Sequence, residues 1–424
     1  MHEGSGRNRC RPPFIDNTDM SEKKYIVITA SGKDQPYLIA DITSAVTGSQ
    51  LNIVAVEQNA LHGLFLMLMI TEPVEPAEVV AAAADRLRAS CARLPLDIKI
   101  DILEASKALK RVEKNLHVFT IIGHDKVGIL KAITNALANF RVNIERMHHL
   151  ARGEFVALEM MVDASELRDL SVLRAVIQKT CDEIGFDTII QPDTPYRQRR
   201  RLVVFDMDST IIEGEVIDEL AKAARVGEQV SAITRRAMAG ELDFQAALHE
   251  RVQLLKGLPE AVLKEIADGM QLTPGAQELV STLKAMGFKI ALISGGFTYF
   301  TESLKNKLLF DYAFGNELEI QDGVLTGRVK GRIIDANAKG EIVRELARRE
   351  GLTRDEIVAV GDGANDQIML KNAGLGIAFN AHEILQKVAD GRITQRNLLG
   401  LLYCLGATEQ AVTQAKEEPP STSA

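Results

Sequence analysis

Cysteine is scarce in this chain and long apolar runs are missing, and each absence narrows what the protein can do. Four cysteines, Cys10, Cys91, Cys181 and Cys404, are scattered over 424 residues with no Cys-x-x-Cys pair. That pattern fits reduced thiols of a cytoplasmic protein rather than a disulfide framework. No apolar run reaches the roughly eighteen residues a membrane span needs, and the amino terminus lacks the apolar core of a secretory signal. Positive charge is not in excess either, because the formal net charge is -8, which argues against nonspecific nucleic-acid binding. The expectation is a cytosolic protein with neither nucleic acid nor membrane as partner, in which any anionic ligand is met by local cations.

What is present is ordinary for a globular chain: 46% hydrophobic and 25% charged residues, enough for two to four domains with their own cores. Residues 1–22, rich in Gly, Arg and Pro at the start, read as a disordered tail, and Met20 offers an alternative start. Residues 408–424 read as a flexible carboxy-terminal tail.

Chemistry concentrates in the second half. The apolar stretch Leu202-Val203-Val204-Phe205 gives way to Asp206-Met207-Asp208-Ser209-Thr210, so two carboxylates leave the end of an expected buried parallel strand, where open α/β sheets place their ligands. Such a pair suits phosphoryl transfer: Asp206 attacks phosphorus as nucleophile, and Asp208 protonates the departing alkoxide and later takes a proton from water. Asp-x-Asp also occurs in solvated turns, calcium loops and nucleotidyl transferases, so the later segments decide. Lys289–Ile293 runs into Ser294-Gly295-Gly296, a second strand delivering a hydroxyl and backbone N–H groups. Lys339, at the start of a helical pattern, supplies a cation. A third apolar strand, Ile357–Val360, ends in Gly361-Asp362-Gly363-Ala364-Asn365-Asp366, a tight turn whose acids can hold a hard cation.

In this order the motifs resemble the haloacid dehalogenase superfamily, and within it the branch of phosphatases acting on phosphoserine. The resemblance covers Arg201 to about Leu402. It implies an α/β, Rossmann-like parallel sheet with a helical cap, and Mg2+ held by the Asp206 carboxylate, the Asp208 backbone carbonyl and the Asp362 carboxylate, with Asp366 supporting the site. It also implies phosphate contacts from Ser294, Gly295, Lys339 and Asn365.

The insert over about 213–288 reads as mostly helical and corresponds to the cap. Three of its positions match the family's substrate-binding residues: Glu215 for an ammonium, Arg251 for a carboxylate, and Phe244 as an apolar wall. The charge logic holds independently, since a zwitterion needs one anion and one cation beside its head, and arginine offers a planar fork for carboxylate.

The first half contains a repeat. Gly32-Lys33-Asp34 and Gly123-His124-Asp125 lie 91 residues apart (123 minus 32), as do Asn52-Ile53 and Asn143-Ile144. Two modules over 23–104 and 114–191 each read strand, helix, strand, strand, helix, strand, a ferredoxin-like α+β pattern. With a Gly-x-Asp turn after the first strand they resemble ACT domains, which implies amino-acid binding and pairing. Gly123, Asp125 and Gly128 are the candidate ligand residues; Tyr37 stands where Gly128 stands in the second copy, so the second copy is expected to carry the response.

His148-His149 reads as structural, because neighbouring residues on a strand point to opposite faces. The run Arg197-Gln198-Arg199-Arg200-Arg201 reads as part of a solvated linker over 192–200, ahead of a phosphatase domain over 201–407. Taken together, the expectation is an Mg2+-dependent phosphatase releasing L-serine from phosphoserine as the last step of serine biosynthesis, homodimeric and governed by an amino-acid effector such as serine. The alternatives are a phosphatase for another small phosphomonoester, such as phosphohomoserine or a phosphosugar, and an amino-acid sensor with a signalling phosphatase half.

Overall fold

The computed structural model describes residues 24–75, 79–104, 114–152, 155–194 and 197–417, so the tail expected over 1–22 lies outside the described residues. The chain divides into two units, Met1–Glu113 and Lys114–Ala424.

The first unit is one antiparallel sheet in the order Leu51–Leu61, Leu64–Pro73, Lys24–Lys33, Asp97–Glu104, with helices Leu38–Gly48 and Val80–Cys91. Alternation in the Leu64–Pro73 strand sends Phe65, Met67 and Met69 inward, where they meet Leu38, Ile42 and Val46 of the first helix. A Cβ at Gly32 would lie 2.7 Å from the Leu96 side chain, which explains a glycine near the end of the first strand.

In the second unit the same strand order recurs: Asn143–Arg152, Val156–Asp163, Leu116–Gly123, Phe186–Pro192. Its last strand does not end the sheet. Ile189 pairs antiparallel with Gly391, so the module continues into the sheet of the carboxy-terminal half and eleven strands form one surface. Buried polar contacts weld the seam. Asp187 accepts from the Thr394 N–H at 2.9 Å, the Thr394 hydroxyl at 2.8 Å and the Gln395 N–H at 3.2 Å. Arg174 donates to the Asp390 and Ile190 carbonyls at 2.7 and 2.9 Å.

This overturns the solvated linker expected over 192–200. Arg197 forms a two-pronged pair with Glu159 at 2.6 and 3.1 Å, and Arg200 is buried against Gln191. The flexible tail expected from 408 is corrected too: Glu409–Glu417 is a helix, its Val412 is buried, and Glu409 accepts from the Arg152 N–H at 3.0 Å. His148 and His149 sit on the Asn143–Arg152 strand beside Glu159 and Arg152, and are not drawn into a metal-capable cluster among the described residues.

The carboxy-terminal part of the sheet runs Val324–Lys330, Tyr312–Gln321, Lys289–Phe297, Leu202–Phe205, Ile357–Gly361, Leu375–Phe379, Gly391–Ile393. The Leu202–Phe205 strand is fully buried and parallel to both neighbours, with Phe205 level with Leu292 and with Val360. Chain order proceeds outward on either side of it, so a topological switch point falls beside its carboxyl end. That register delivers Asp206, Ser294 and Asp362 to one edge of the sheet.

Four helices, Val216–Ala223, Gly227–Met238, Phe244–Gln253 and Glu260–Gly269, form the cap, closed by the Ile212–Leu272 bridge. The next helix, Ala276–Ala285, packs on the core strand it precedes, so the cap ends earlier than 288. The hairpin of Tyr312–Gln321 and Val324–Lys330 reaches the cap: Gly257 N–H donates to the Leu325 carbonyl at 2.8 Å, and Gly327, at φ 83°, leaves room for Gln253.

Candidate active site

Asp206 follows the last residue of the central strand, and its N–H donates to the Val360 carbonyl at 2.9 Å. One carboxylate oxygen accepts from the Met207 N–H at 2.7 Å; the other lies 2.8 Å from Nζ of Lys339. The same ammonium donates to Asp366 Oδ1 at 2.7 Å, and Lys339 and Asp366 are entirely buried. Burial raises the Asp206 carboxyl well above the usual carboxylate range, Asp366 pushes the same way, and Lys339 opposes them. For Lys339 burial disfavours the charge, but Asp206 and Asp366 outweigh it and hold the ammonium protonated.

Ser209, at φ 54°, turns the chain back after Asp208. Asp208 Oδ1 accepts from the Val216 N–H at 2.9 Å and Oδ2 from the Ser294 hydroxyl at 3.2 Å. Burial raises its carboxyl, which favours the protonated form a general acid needs. Ser294 Oγ also accepts from the Gly296 N–H at 2.8 Å. Glycine is required in this turn by close approach: a Cβ at Gly295 would lie 3.0 Å from the Phe244 ring, and one at Gly296 2.9 Å from Asp208 Oδ2.

On the third strand, the N–H groups of Asp362 and Gly363 donate to Asp366 Oδ2 at 3.2 and 3.1 Å. Both Asp366 oxygens are thus engaged within the protein. Burial, followed by the charge of Asp366, pushes Asp362 up to about 7. Asp206, Asp362 and Asp366 each offer an oxygen, all within 4.8 Å of one another. This is an oxygen-only donor set with more negative charge than Lys339 offsets, and it fits a hard divalent cation.

From the cap, Glu215 precedes the Val216–Ala223 helix and accepts from the Ser209 hydroxyl at 3.2 Å. It is exposed to the open cleft yet crowded by cap and core; desolvation, then Asp208 and Asp362, push its carboxyl up to about 8. Arg251, in the last turn of Phe244–Gln253, is anchored through Nε to the Ala247 carbonyl at 3.2 Å. Desolvation lowers its pKa, partly offset by Glu215, Asp218 and Asp208.

One cleft of about 910 Å3 is lined by Asp206, Asp208, Glu215, Phe244, Arg251, Gly295, Asp362 and Asn365, with Ser294 and Lys339 fully buried behind it. Gly123, Asp125 and Gly128 are not among its lining residues. Gly123 ends the Leu116–Gly123 strand, where a Cβ would lie 2.5 Å from the Phe186 ring, and Gly128 precedes the helix Ile129–Asn139 at φ 98°. Tyr37 takes the same left-handed conformation, φ 77°, in the first module.

Several residues at the site escaped sequence reasoning. Gly296 and Ser209 stand inside the Ser-Gly-Gly and Asp-x-Asp motifs, which give neither a role of its own. His382, whose N–H donates to the Asp362 carbonyl at 3.1 Å and which lines the cleft, carries no local motif. Asn316, whose amide donates to the Gly295 carbonyl at 2.8 Å, has none either.

Known proteins are similar to this chain at every level. The haloacid dehalogenase-like hydrolase model matches residues 200–374, and the ACT domain model matches residues 24–101 and 106–191. A phosphoserine phosphatase from Archaeoglobus fulgidus is 54% identical over 70% of this chain and 86% of its own length. A phosphoserine phosphatase from Mycobacterium tuberculosis is 35% identical over 93% of this chain and 96% of its own. The chain belongs to the phosphoserine phosphatase family. It is a phosphoric monoester hydrolase of the haloacid dehalogenase type, with two ACT domains ahead of the catalytic sheet. Among solved structures, a haloacid dehalogenase family hydrolase from Salmonella enterica serovar Typhi superposes with a TM-score of 0.62 at 32% identity, covering 68% of this chain and 98% of that one. A probable phosphoserine phosphatase from Vibrio cholerae gives 0.57 at 35% identity, covering 70% and 88%. Among the described residues no helix is long and apolar enough to cross a membrane.

Proposed function

We propose that the chain hydrolyses O-phospho-L-serine to L-serine and inorganic phosphate, the closing step of serine biosynthesis, through an acyl phosphate on Asp206. The observation that carries this reading is one cleft shared by two kinds of group: the Asp206 and Asp208 pair at the switch point, and Glu215 with Arg251 on the cap. Glu215 meets the substrate ammonium and Arg251 its carboxylate, while Phe244 covers the apolar carbon. Ser294, Gly295, Lys339 and Asn365 surround the phosphate.

Asp206 attacks phosphorus, and the serine oxygen leaves with the proton that Asp208 holds. Asp208, now ionised, takes a proton from a water that cleaves the acyl phosphate and returns Asp206. Mg2+, held by Asp206, Asp362 and the Asp208 carbonyl with Asp366 in support, supplies charge neutralisation for the phosphate oxygens when bound. Lys339 opposes the protonation of Asp206 and aims its carboxylate.

In the ACT half, the reading places an amino-acid effector, L-serine first, near Gly123, Asp125 and Gly128, in a homodimer. The family's relatives named phosphoserine phosphatase support the substrate, and the ACT match supports amino-acid binding. A panel of phosphorylated amino acids and sugars, assayed for phosphate release with Mg2+, tests the substrate: phosphoserine should exceed phosphohomoserine and phosphosugars in kcat/KM. Preference for one of the others would replace it.

A further inference from the structure

The Lys289–Phe297 and Tyr312–Gln321 strands pair in register as far as Ile293 and Phe314, then resume at Phe297 and Asn316. Four steps on one strand are matched by two on the other, so Ser294, Gly295 and Gly296 bulge out of the ladder towards the cleft. A bulge leaves backbone groups without their ladder partners, and buried ones must find others. Asn316, 1% exposed, supplies them. Its Nδ2 donates to the Gly295 carbonyl at 2.8 Å, and its Oδ1 accepts from the Ile334 N–H at 2.8 Å. A carbonyl needs a donor and an N–H an acceptor, so the amide can sit only one way round.

The two loops bridged in this way both serve the phosphate site. With its carbonyl held by Asn316 and the next N–H held by Ser294 Oγ, the Gly295–Gly296 peptide is fixed at both ends. Ile334 immediately precedes Asp335, whose carboxylate accepts from the Ala338 N–H at 2.9 Å and caps the helix Ala336–Glu350 that carries Lys339. Asp335 also accepts from Gln245 of the cap at 3.0 Å.

We propose that Asn316 is a positioning residue for phosphate recognition, locking the Ser294–Gly296 bulge to the segment that delivers Lys339. A serine or alanine there leaves the Gly295 carbonyl free to rotate, and the phosphate-facing groups of the bulge lose their aim. This inference rests on the phosphatase reading, but concerns the phosphate end of the substrate and so is indifferent to the alcohol.

The test compares full-length wild type with Asn316→Ala and Asn316→Ser, using phosphoserine and an aryl phosphate as substrates and inorganic phosphate as competitive inhibitor, with Mg2+ present. Both variants should keep the wild-type circular dichroism. They should lose roughly tenfold to a hundredfold in kcat/KM on both substrates, the usual worth of a supporting partner, and the inhibition constant of phosphate should rise in step. An unchanged phosphate inhibition constant, with only the active fraction reduced, would overturn the proposal, as would failure of both variants to fold, since Asn316 would then serve the fold alone. Should wild type hydrolyse the aryl phosphate but not phosphoserine, the substrate reading fails while the aryl-phosphate comparison still judges Asn316.

Discussion

Lys339 and Asp206 form an ion pair of 2.8 Å in which the lysine is completely buried and Asp366 is its second anion at 2.7 Å. Removing one member of such a group strands uncompensated charge, which costs about 3–5 kcal/mol. Lys339→Met should therefore lower stability by about that amount in denaturant titrations done in chelator, and should also abolish most turnover. A variant as stable as wild type would mean that the two buried contacts of Lys339 contribute nothing to the fold.

Asp208→Asn keeps the contacts' shape but removes the transferable proton. Turnover on phosphoserine should fall roughly 100-fold to 10,000-fold, the usual worth of a general acid. An aryl phosphate bearing a good leaving group should lose much less in phosphoenzyme formation, which rapid-quench kinetics can read separately. Equal losses in that step would assign Asp208 to something other than protonating the alkoxide.

Chelation should abolish phosphate release and added Mg2+ should restore it, because Asp206, Asp362 and Asp366 crowd oxygens within 4.8 Å of one another where a phosphate must approach. Full activity in excess chelator would remove the metal from the account.

Arg251→Ala should raise the KM for phosphoserine strongly while sparing an aryl phosphate that has no amino-acid head, and Glu215→Ala should behave alike. A matched loss on both substrates would place these residues in folding or in the chemistry.

The continuous sheet changes what truncation should do. A chain beginning at Lys114 should fold and turn over, since the division at Glu113 crosses no shared sheet. One beginning at Arg197 removes the strand paired with Gly391 and the acceptor of three donors from Thr394 and Gln395. Asp187→Ala alone should cost about 1–3 kcal/mol in urea unfolding, the penalty for orphaned buried donors. A chain from Arg197 as stable as the one from Lys114 would show the seam to be incidental.

The catalytic strands were legible in the sequence because each is a short apolar run ending abruptly in Asp206, Ser294 or Asp362, and the repeat was legible because Gly32 and Gly123 recur with their Asp partners. Position along the chain could not disclose who faces whom. Arg197 looks solvated in a run of arginines, yet its partner Glu159 is 38 residues away on the Val156–Asp163 strand. Asn316 looks like any polar strand residue until the register shift beside it is known. The helix Glu409–Glu417 has a weakly apolar face whose partners, the helix Ala276–Ala285 and the strand Asn143–Arg152, lie far away along the chain.

Trapping the phosphoenzyme tests the central claim most directly. Full-length protein quenched in acid during turnover of labelled phosphoserine, then digested and read by mass spectrometry, should carry one acid-stable, base-labile phosphate on Asp206, and Asp206→Asn should carry none. Label on another residue, or substantial turnover by Asp206→Asn, would contradict the account.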